Sequence, residues 1–354
     1  MSNSLGKSIK IQIFGQSHSD AIGVVIDGLP AGVELDMERI NAFLARRRGG
    51  GQLSTARAEK DEPKILSGVV NGVTCMAPLC AVFENADTRS ADYDSIRRAP
   101  RPSHADLTAH IKSGGFNDVR GGGAFSGRLT LPLCFAGAIC KQILEARGVR
   151  VGAHISSIAD IRDVRLDPVS PSLDSIPTDF PVIDRDAAER MRECILSAKA
   201  DGDSVGGTIE CAVTGIPAGI GEPMFDGLEN SLARALFAIP AIKGVEFGSG
   251  FDCAAMRGSE HNDPIAMCDG RIVTTTNNAG GITGGISNGM PIIVRVAVKP
   301  TPSIAKEQLT VDLVSGENTR LTIHGRHDPC IVPRAVAVVE AAVAFTILDE
   351  MLSN

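Results

Sequence analysis

Three short segments of this 354-residue chain set histidines, which can move protons near neutral pH, beside arginine or serine. The first is the polar turn from Gly15 to Asp20, where Ser17 and His18 sit between two apolar runs. The second, Arg97-Arg-Ala-Pro-Arg-Pro-Ser-His-Ala-Asp106, packs three arginines, two prolines and His104 into ten residues. Rigid prolines can hold an imidazole beside guanidinium groups, arginine's planar fork suits phosphate or carboxylate, and histidine exchanges a proton near neutrality. A solvated basic loop with a satisfied histidine accounts for the same residues. The third, Gly325-Arg-His-Asp-Pro-Cys330, places a carboxylate next to a guanidinium and an imidazole, so Asp328 suits a positioned base and Arg326 an anion ligand. Asp328 would equally suit the cap of the helix that follows.

Two glycine-rich loops add a different chemistry. Asp118 to Arg128 carries a glycine run flanked by Arg120 and Arg128, a pattern that can cradle an anion with backbone N–H groups where it leads into a helix. Neither the Gly-x-Gly-x-x-Gly dinucleotide fingerprint nor the Gly-x-x-x-x-Gly-Lys-Ser/Thr phosphate loop occurs, so dehydrogenase and nucleotide-kinase readings lose support. Asn277 to Gly289 holds five glycines, a conformational cost that a flat cofactor lying on the backbone would justify, with Lys299, Thr301 and Ser303 bonding its polar edge. A long hairpin turn with ordinary glycine bulges fits the same residues.

The elements that must position these groups follow from periodicity. Near-alternation from Ile9 to Phe14 and an apolar run from Ile22 to Ile26 predict two strands joined by the His18 turn. Asp36 is placed to cap a helix that buries Ile40, Phe43 and Leu44, with Arg46, Arg47 and Arg48 in its last turn, before Gly49. A helix is predicted near Ala187 to Ala200, a strand over Pro291 to Val298, and a buried core helix over Pro333 to Met351, where Arg334 and Glu340 interrupt the apolar run. Gly28 to Val33 and Gly215 to Ile220 echo each other after apolar strands. Two related halves or recurrent turn chemistry explain the echo equally. Residues 160–186, rich in Asp, Pro and Ser, read as a surface excursion between such halves.

Composition narrows the partners. With 43% hydrophobic and 22% charged residues the chain can bury a substantial core, and its formal charge of -7 repels nucleic acid and anionic lipid. An anionic small-molecule substrate therefore needs local basic residues. Nine cysteines without a Cys-x-x-Cys pair point to reduced, mostly structural thiols and to no metal site. No uncharged apolar run approaches the roughly 20 residues that span a bilayer, and no secretory signal opens the chain, so a cytoplasmic location is expected.

Taken together the segments resemble one family, the chorismate synthases. Gly15-Gln-Ser-His18 resembles that family's Gly-Glu-Ser-His, and Arg101-Pro-Ser-His-Ala-Asp106 resembles its Arg-Pro-Gly-His-Ala-Asp. Arg120-Gly-Gly-Gly123, Asn278-Ala-Gly-Gly-Ile282, Lys299-Pro-Thr301 and Gly325 to Cys330 match directly. The resemblance implies an α+β fold, a β-α-β sandwich with a helical core between antiparallel sheets, formed as one domain over 1–354 with pseudo-repeats near 1–150 and 187–354. It implies loss of phosphate and a distal proton from 5-enolpyruvylshikimate 3-phosphate, a 1,4-elimination that needs reduced FMN without net oxidation, with NADPH possible only as reductant, in a homotetramer. His18 would assist phosphate departure, His104 would protonate the reduced flavin, and Asp328 would accept a proton from its N5. Ser17, Arg47, Arg120, Arg128 and Arg326 would bind substrate; Ala124, Phe125, Ser126, Gly284, Lys299, Pro300, Thr301, Pro302, Ser303 and again Arg326 would contact the cofactor. Three departures stand out: Ala124-Phe125-Ser126 where many relatives have Arg-Ser-Ser, Leu53 where many have arginine, and Pro240 where many have asparagine. With His18, His104, Asp328 and Arg326 all present, these read as a subfamily variation, and a binding protein that has lost catalysis is the alternative.

Overall fold

A computed structural model describes residues 3–49, 51–54, 60–85, 94–268, 270–323 and 328–354. The alternation predicted at the N-terminus is realised in a five-stranded antiparallel sheet of β1 (Ser4–Leu5), β2 (Lys10–Gly15), β3 (Ala21–Asp27), β4 (Lys64–Ser67) and β5 (Leu79–Glu84), in the order β1-β2-β3-β5-β4. Ile22, Val24 and Ile26 face one way and register with Phe83, Ala81 and Leu79, all essentially buried, as the two-residue period of a strand requires. A second antiparallel sheet takes β6 (Arg150–Ile158), β7 (Ile161–Arg162), β8 (Gly207–Thr214), β9 (Ile242–Phe247) and β10 (Ile292–Val298), in the order β9-β10-β8-β6-β7. The echoed turns at Gly28 and Gly215 follow β3 and β8, the middle strand of each sheet.

Helices α1 (Met37–Ala45), α2 (Asp106–Ser113), α3 (Thr130–Glu145), α4 (Arg185–Ala200), α5 (Leu228–Phe237) and α6 (Val332–Ser353) complete the frame. α3 packs on β2, β3 and β5, α6 packs on β6 and β8, and the two helices pack on each other, so a helical layer separates the sheets. Nearly every residue of α6 from Val332 to Glu350 is buried, which explains an apolar pattern on all its faces. The segment ending in α3 is long and apolar enough to cross a membrane, but most of it is buried inside the fold.

Asp36 caps α1 by accepting the Arg39 N–H at 3.0 Å. The helix stops at Ala45, so Arg46, Arg47 and Arg48 follow it and do not form its last turn as expected. Arg46 and Arg47 each have a side-chain partner that draws them off the axis. Arg46 reaches the buried Glu340 of α6 with Nη1 at 3.0 Å and Nη2 at 2.5 Å, a carboxylate that Lys141 of α3 and the Ala153 N–H of β6 also bond, at 2.6 and 3.2 Å. Glu340 thus ties α1, α3 and the second sheet to the central helix. Burial opposes its charge, but the nearby Lys141 and Arg46 cations hold its carboxyl below its ordinary range.

Residues 160–186 do more than run over the surface. Leu166 packs with Ala212 and Ile293 on the outer face of the second sheet, joined by Leu173, Ile176 and Ile183. Both faces of that sheet are therefore covered.

Candidate active site

One cavity of about 840 Å³ opens beside the helical layer. His18, His104 and Asp328, separated by up to 310 positions in sequence, all line it. His18 sits in the β2–β3 turn, its Nδ1 3.3 Å from the Ser17 hydroxyl, while Ser17 itself is buried and donates its N–H to the Gly123 carbonyl. His104 lies just before α2, with Nδ1 2.6 Å from Asp106 Oδ1 and 3.0 Å from Arg101 Nη2. Because Arg101 Nη2 already donates to Asp106 Oδ1 at 2.9 Å, the assignment that satisfies all three groups puts a proton on Nδ1, donated to the carboxylate. Nε2 then faces the glycine run.

Asp106 is the hub of that arrangement. It also accepts the Arg101 backbone N–H at 3.1 Å and Nε at 2.7 Å. Burial works against its charge, yet the hydrogen bonds from Arg101 and His104 outweigh it and hold the carboxyl well below the ordinary range. Arg101, buried and bonded to Ser303 as well at 3.2 Å, is scaffolding for His104.

The glycine run 121–123 works as a thin wall between the two imidazoles. A Cβ on Gly121, at φ 58°, would lie 2.4 Å from His18 Cε1, and one on Gly122, at φ 86°, would lie 3.2 Å from His104 Cε1. Consecutive Cα atoms are about 3.8 Å apart, so the two histidines flank a single peptide unit. Only glycine combines left-handed backbone with that clearance.

Across the cavity, Arg47 and Arg128 are buried around Asp61. Arg47 donates Nε to Thr130 Oγ1 at 2.9 Å and Nη2 to the Gly127 carbonyl at 2.9 Å, with Nη1 3.5 Å from Asp61 Oδ2. Arg128 donates Nε to Asn85 Oδ1 at 2.9 Å and Nη1 to Asp61 Oδ1. Burial, and then the Arg334 charge, bring the Arg47 guanidinium down to about 10. Arg334, in the first turn of α6, joins this wall to the third catalytic candidate: Nε bonds the Arg47 carbonyl at 3.0 Å and Nη1 bonds Asp328 Oδ2 at 2.6 Å. α6 has Ile331 as its N-cap and no side-chain cap bond, so Asp328 does not cap the helix and its carboxylate is turned to Arg334.

Lys299, Thr301, Pro302 and Ser303 line a further wall, and Ala124, Phe125 and Ser126 line the cavity as well. Lys299 Nζ bonds the Ser103 carbonyl, and burial, followed by the neighbouring Lys243 charge, lowers its pKa. Thr301 Oγ1 is a buried side-chain atom that lacks a partner among the described residues, and buried hydroxyls rarely go unsatisfied. This wall therefore presents a donor–acceptor to whatever occupies the cavity.

Not every expected residue is here. Arg120 is absent from the lining and is held by Asp118, with Nε and Nη2 each at 2.9 Å from its carboxylate; it would take an anion only by exchanging that partner. Gly284 occupies the turn between Ile282–Thr283 and Ile286–Ser287, outside the lining. The rest of the 277–289 loop is braced internally, Asn277 donating to the Pro168 and Pro291 carbonyls and accepting the Gly281 N–H, as a long hairpin turn would be. Pro300 lies against Gly206, and Arg326 falls outside the described residues. Of the departures, Pro240 joins Ala124 and Phe125 in the lining and Leu53 does not.

Asp61, Asp106, Lys243 and Arg334 were not singled out from sequence. Asp106 had a signal in the Arg-Pro-Ser-His-Ala-Asp spacing, which returns a carboxylate two residues after the imidazole. Among the described residues the cavity collects Arg47, Arg48, Arg101, Arg128, Lys243, Lys299 and Arg334 against Asp61 and Asp328, a strongly positive site in a chain of net charge -7. Such a site suits a ligand with several anionic groups and offers two imidazoles and a carboxylate for proton transfer.

Comparison with known proteins agrees with this chemistry. Residues 9–352 match the family model described as chorismate synthase. Over 347 residues the chain is 49% identical to the chorismate synthase of Thermococcus gammatolerans, spanning 98% of this chain and 97% of that one. Over 352 residues it is 48% identical to the chorismate synthase of Korarchaeum cryptofilum, spanning 99% and 97%. A crystal structure of a chorismate synthase superposes with a TM-score of 0.76 at 28% identity, covering 98% of this chain and 93% of that one.

Proposed function

This chain belongs to the chorismate synthase family, and from that premise we propose that the cavity bearing His18, His104 and Asp328 is where its elimination takes place. The activity is that of a phosphate-eliminating carbon–oxygen lyase, which converts 5-enolpyruvylshikimate 3-phosphate to chorismate at the end of the shikimate pathway. The observation that carries the site is convergence: three proton-transfer residues from distant segments meet in one cavity that, among the described residues, is lined by seven cationic side chains. The substrate's phosphate and two carboxylates supply the matching charge.

His18, beside the buried Ser17, is the acid that assists phosphate departure, within the field of Arg47 and Arg128. His104, its Nδ1–H fixed on Asp106, presents Nε2 to the cavity to take up and pass on a proton. Asp328, oriented by Arg334, accepts the proton that leaves. Arg326 is assigned with the substrate ligands by motif alone, and Arg120 would join them only by releasing Asp118. The family uses reduced FMN, and the residues present fit it: the orphaned Thr301 hydroxyl, Lys299, Ser303 and the half-exposed Phe125 offer the cavity polar and flat contacts. Bound there, it would lend electron density and recover it, leaving no net redox change. Phe125 and Ala124 in place of Arg-Ser make the cavity lining less polar than in many relatives. NADPH would act only as a reductant. We assign the two sheets, each with an echoed turn after its middle strand, to related halves of a single domain, and expect a cytoplasmic homotetramer.

Anaerobic turnover of the shikimate ester, followed by chorismate absorbance and phosphate release with and without NADPH, tests the reading. Product should form only with reduced FMN, and Asp328→Asn or His104→Ala should lose at least about a hundredfold in turnover, the usual scale for a positioned acid or base. Their circular dichroism should match wild type. Turnover within a few-fold of wild type in either variant removes its assigned role.

A further inference from the structure

We propose that Asp61 is an internal counter-ion that sets how tightly Arg47 and Arg128 take a substrate oxyanion, because it occupies the guanidinium edges such an anion would claim. The three side chains are sealed together: Arg47, Arg128 and Asp61 retain only 4%, 5% and 3% of side-chain exposure. The guanidinium donors divide into scaffold bonds and one exchangeable contact per arginine. Arg47 spends Nε and Nη2 on Thr130 and the Gly127 carbonyl; Arg128 spends Nε and Nη2 on Asn85 and the Glu84 carbonyl, at 2.9 and 3.3 Å. Those partners are uncharged, two of them backbone. The remaining Nη1 of each arginine turns to one oxygen of Asp61.

A carboxylate held between two guanidiniums presents two oxygens much as a phosphate or a substrate carboxylate would. With Asp61 charged, the buried trio carries a net charge of +1; without it, +2 with no counter-charge, a state that is costly to bury. An incoming anion therefore either competes with Asp61 for the same edges or binds to a pair already half-neutralised, and in both cases Asp61 weakens it. The backbone at Asp61 is left-handed, φ 53°, a conformation disfavoured for a residue with a Cβ and tolerated best by Asp and Asn. Tertiary contacts, not local preference, hold this carboxylate in place. Moderated affinity suits an enzyme that releases inorganic phosphate at every turnover.

The inference rests on the assignment of Arg47 and Arg128 to substrate anions, and its test separates the two. Inorganic phosphate is titrated calorimetrically into full-length wild type, Asp61→Asn, Asp61→Glu and Arg128→Ala. Asp61→Asn should bind phosphate about tenfold tighter, within the ordinary range of coupling between neighbouring sites, and Asp61→Glu should stay within about twofold of wild type because the charge remains. A purely structural role for Asp61 would weaken or abolish binding, so unchanged or weaker phosphate binding by Asp61→Asn overturns the proposal, as does equal tightening in Asp61→Glu. If Asp61→Asn fails to stay folded in chloride buffer, phosphate should restore its melting transition, and failure to do so also overturns it. Arg128→Ala binding phosphate like wild type would instead defeat the assignment of that arginine to substrate anions.

Discussion

Ser103 adopts a left-handed backbone, φ 57°, in the Arg-Pro-Ser-His turn, where the chorismate synthase motif resembled here has glycine. A side chain there costs about 1–2 kcal/mol, while glycine in its place would give back roughly 0.5–1 kcal/mol of unfolded-state freedom. Ser103→Gly should therefore stabilise the protein by up to about 1 kcal/mol, read as a higher midpoint in urea unfolding. Turnover should hold within about twofold, since the carbonyl of residue 103 can still accept Lys299 and His104 remains on Asp106. A lower midpoint would mean that the serine side chain stabilises this turn by more than its backbone costs. The same scale shows why parts of the site were legible in sequence and others were not. His18, His104 and Asp328 stand in segments whose neighbours already spell out proton and anion chemistry. Asp61 stands in Lys60-Asp-Glu62, which reads as a solvated charge run, and its meaning arises from Arg128, 67 positions away. Arg334 reads as an interruption of an apolar helix until its bonds to Asp328 and the Arg47 carbonyl are traced.

At the level of elements, period and caps carried most of the reading: the strands around His18, the helix after Asp36 and the buried C-terminal helix lie within a few residues of where apolar spacing puts them. What spacing cannot reveal is how an element is covered from outside, as the 160–186 excursion and the second sheet illustrate. There His154, fully buried on β6, bridges Asp163 of the excursion at 2.9 Å and Glu210 of β8 at 3.1 Å, and Glu210 also meets Arg295 at 3.1 Å. Burial would push the His154 pKa down, but the bonds to Asp163 and Glu210 prevail and raise it. A group whose folded pKa is raised stabilises the fold fully below its unfolded value, near 6.5, and loses that contribution as pH rises through the folded value. His154→Gln should thus cost about 3 kcal/mol at about pH 6, as removal of one partner from a buried pair does, and less at about pH 8.5. Chemical denaturation of both proteins at the two pH values measures the difference. A gap that widens with pH would show that His154 is neutral in the folded state and bonds there as a neutral ring.

For the whole molecule, the arrangement of charge matters more than its total. A chain of net charge -7 should repel a substrate bearing a phosphate and two carboxylates, yet among the described residues the cavity concentrates seven cations against Asp61 and Asp328. In dilute salt the surface charge repels substrate at long range, but it is screened beyond about 8–10 Å at ordinary ionic strength, whereas the low-dielectric cavity wall keeps more of its own field and attracts substrate close to the mouth. Added salt removes the first effect before the second, and the two make opposite predictions. If the cavity field dominates capture, kcat/KM should fall several-fold as potassium chloride rises from about 20 to about 500 mM, while kcat at saturating substrate stays flat because the bound anion already neutralises the site. If surface repulsion dominates, kcat/KM should rise over the first part of that range. Steady-state assays across the salt series decide between them, and a rise would mean that surface repulsion outweighs the cavity's remaining positive charge during approach, leaving the arginines to act only on substrate already inside.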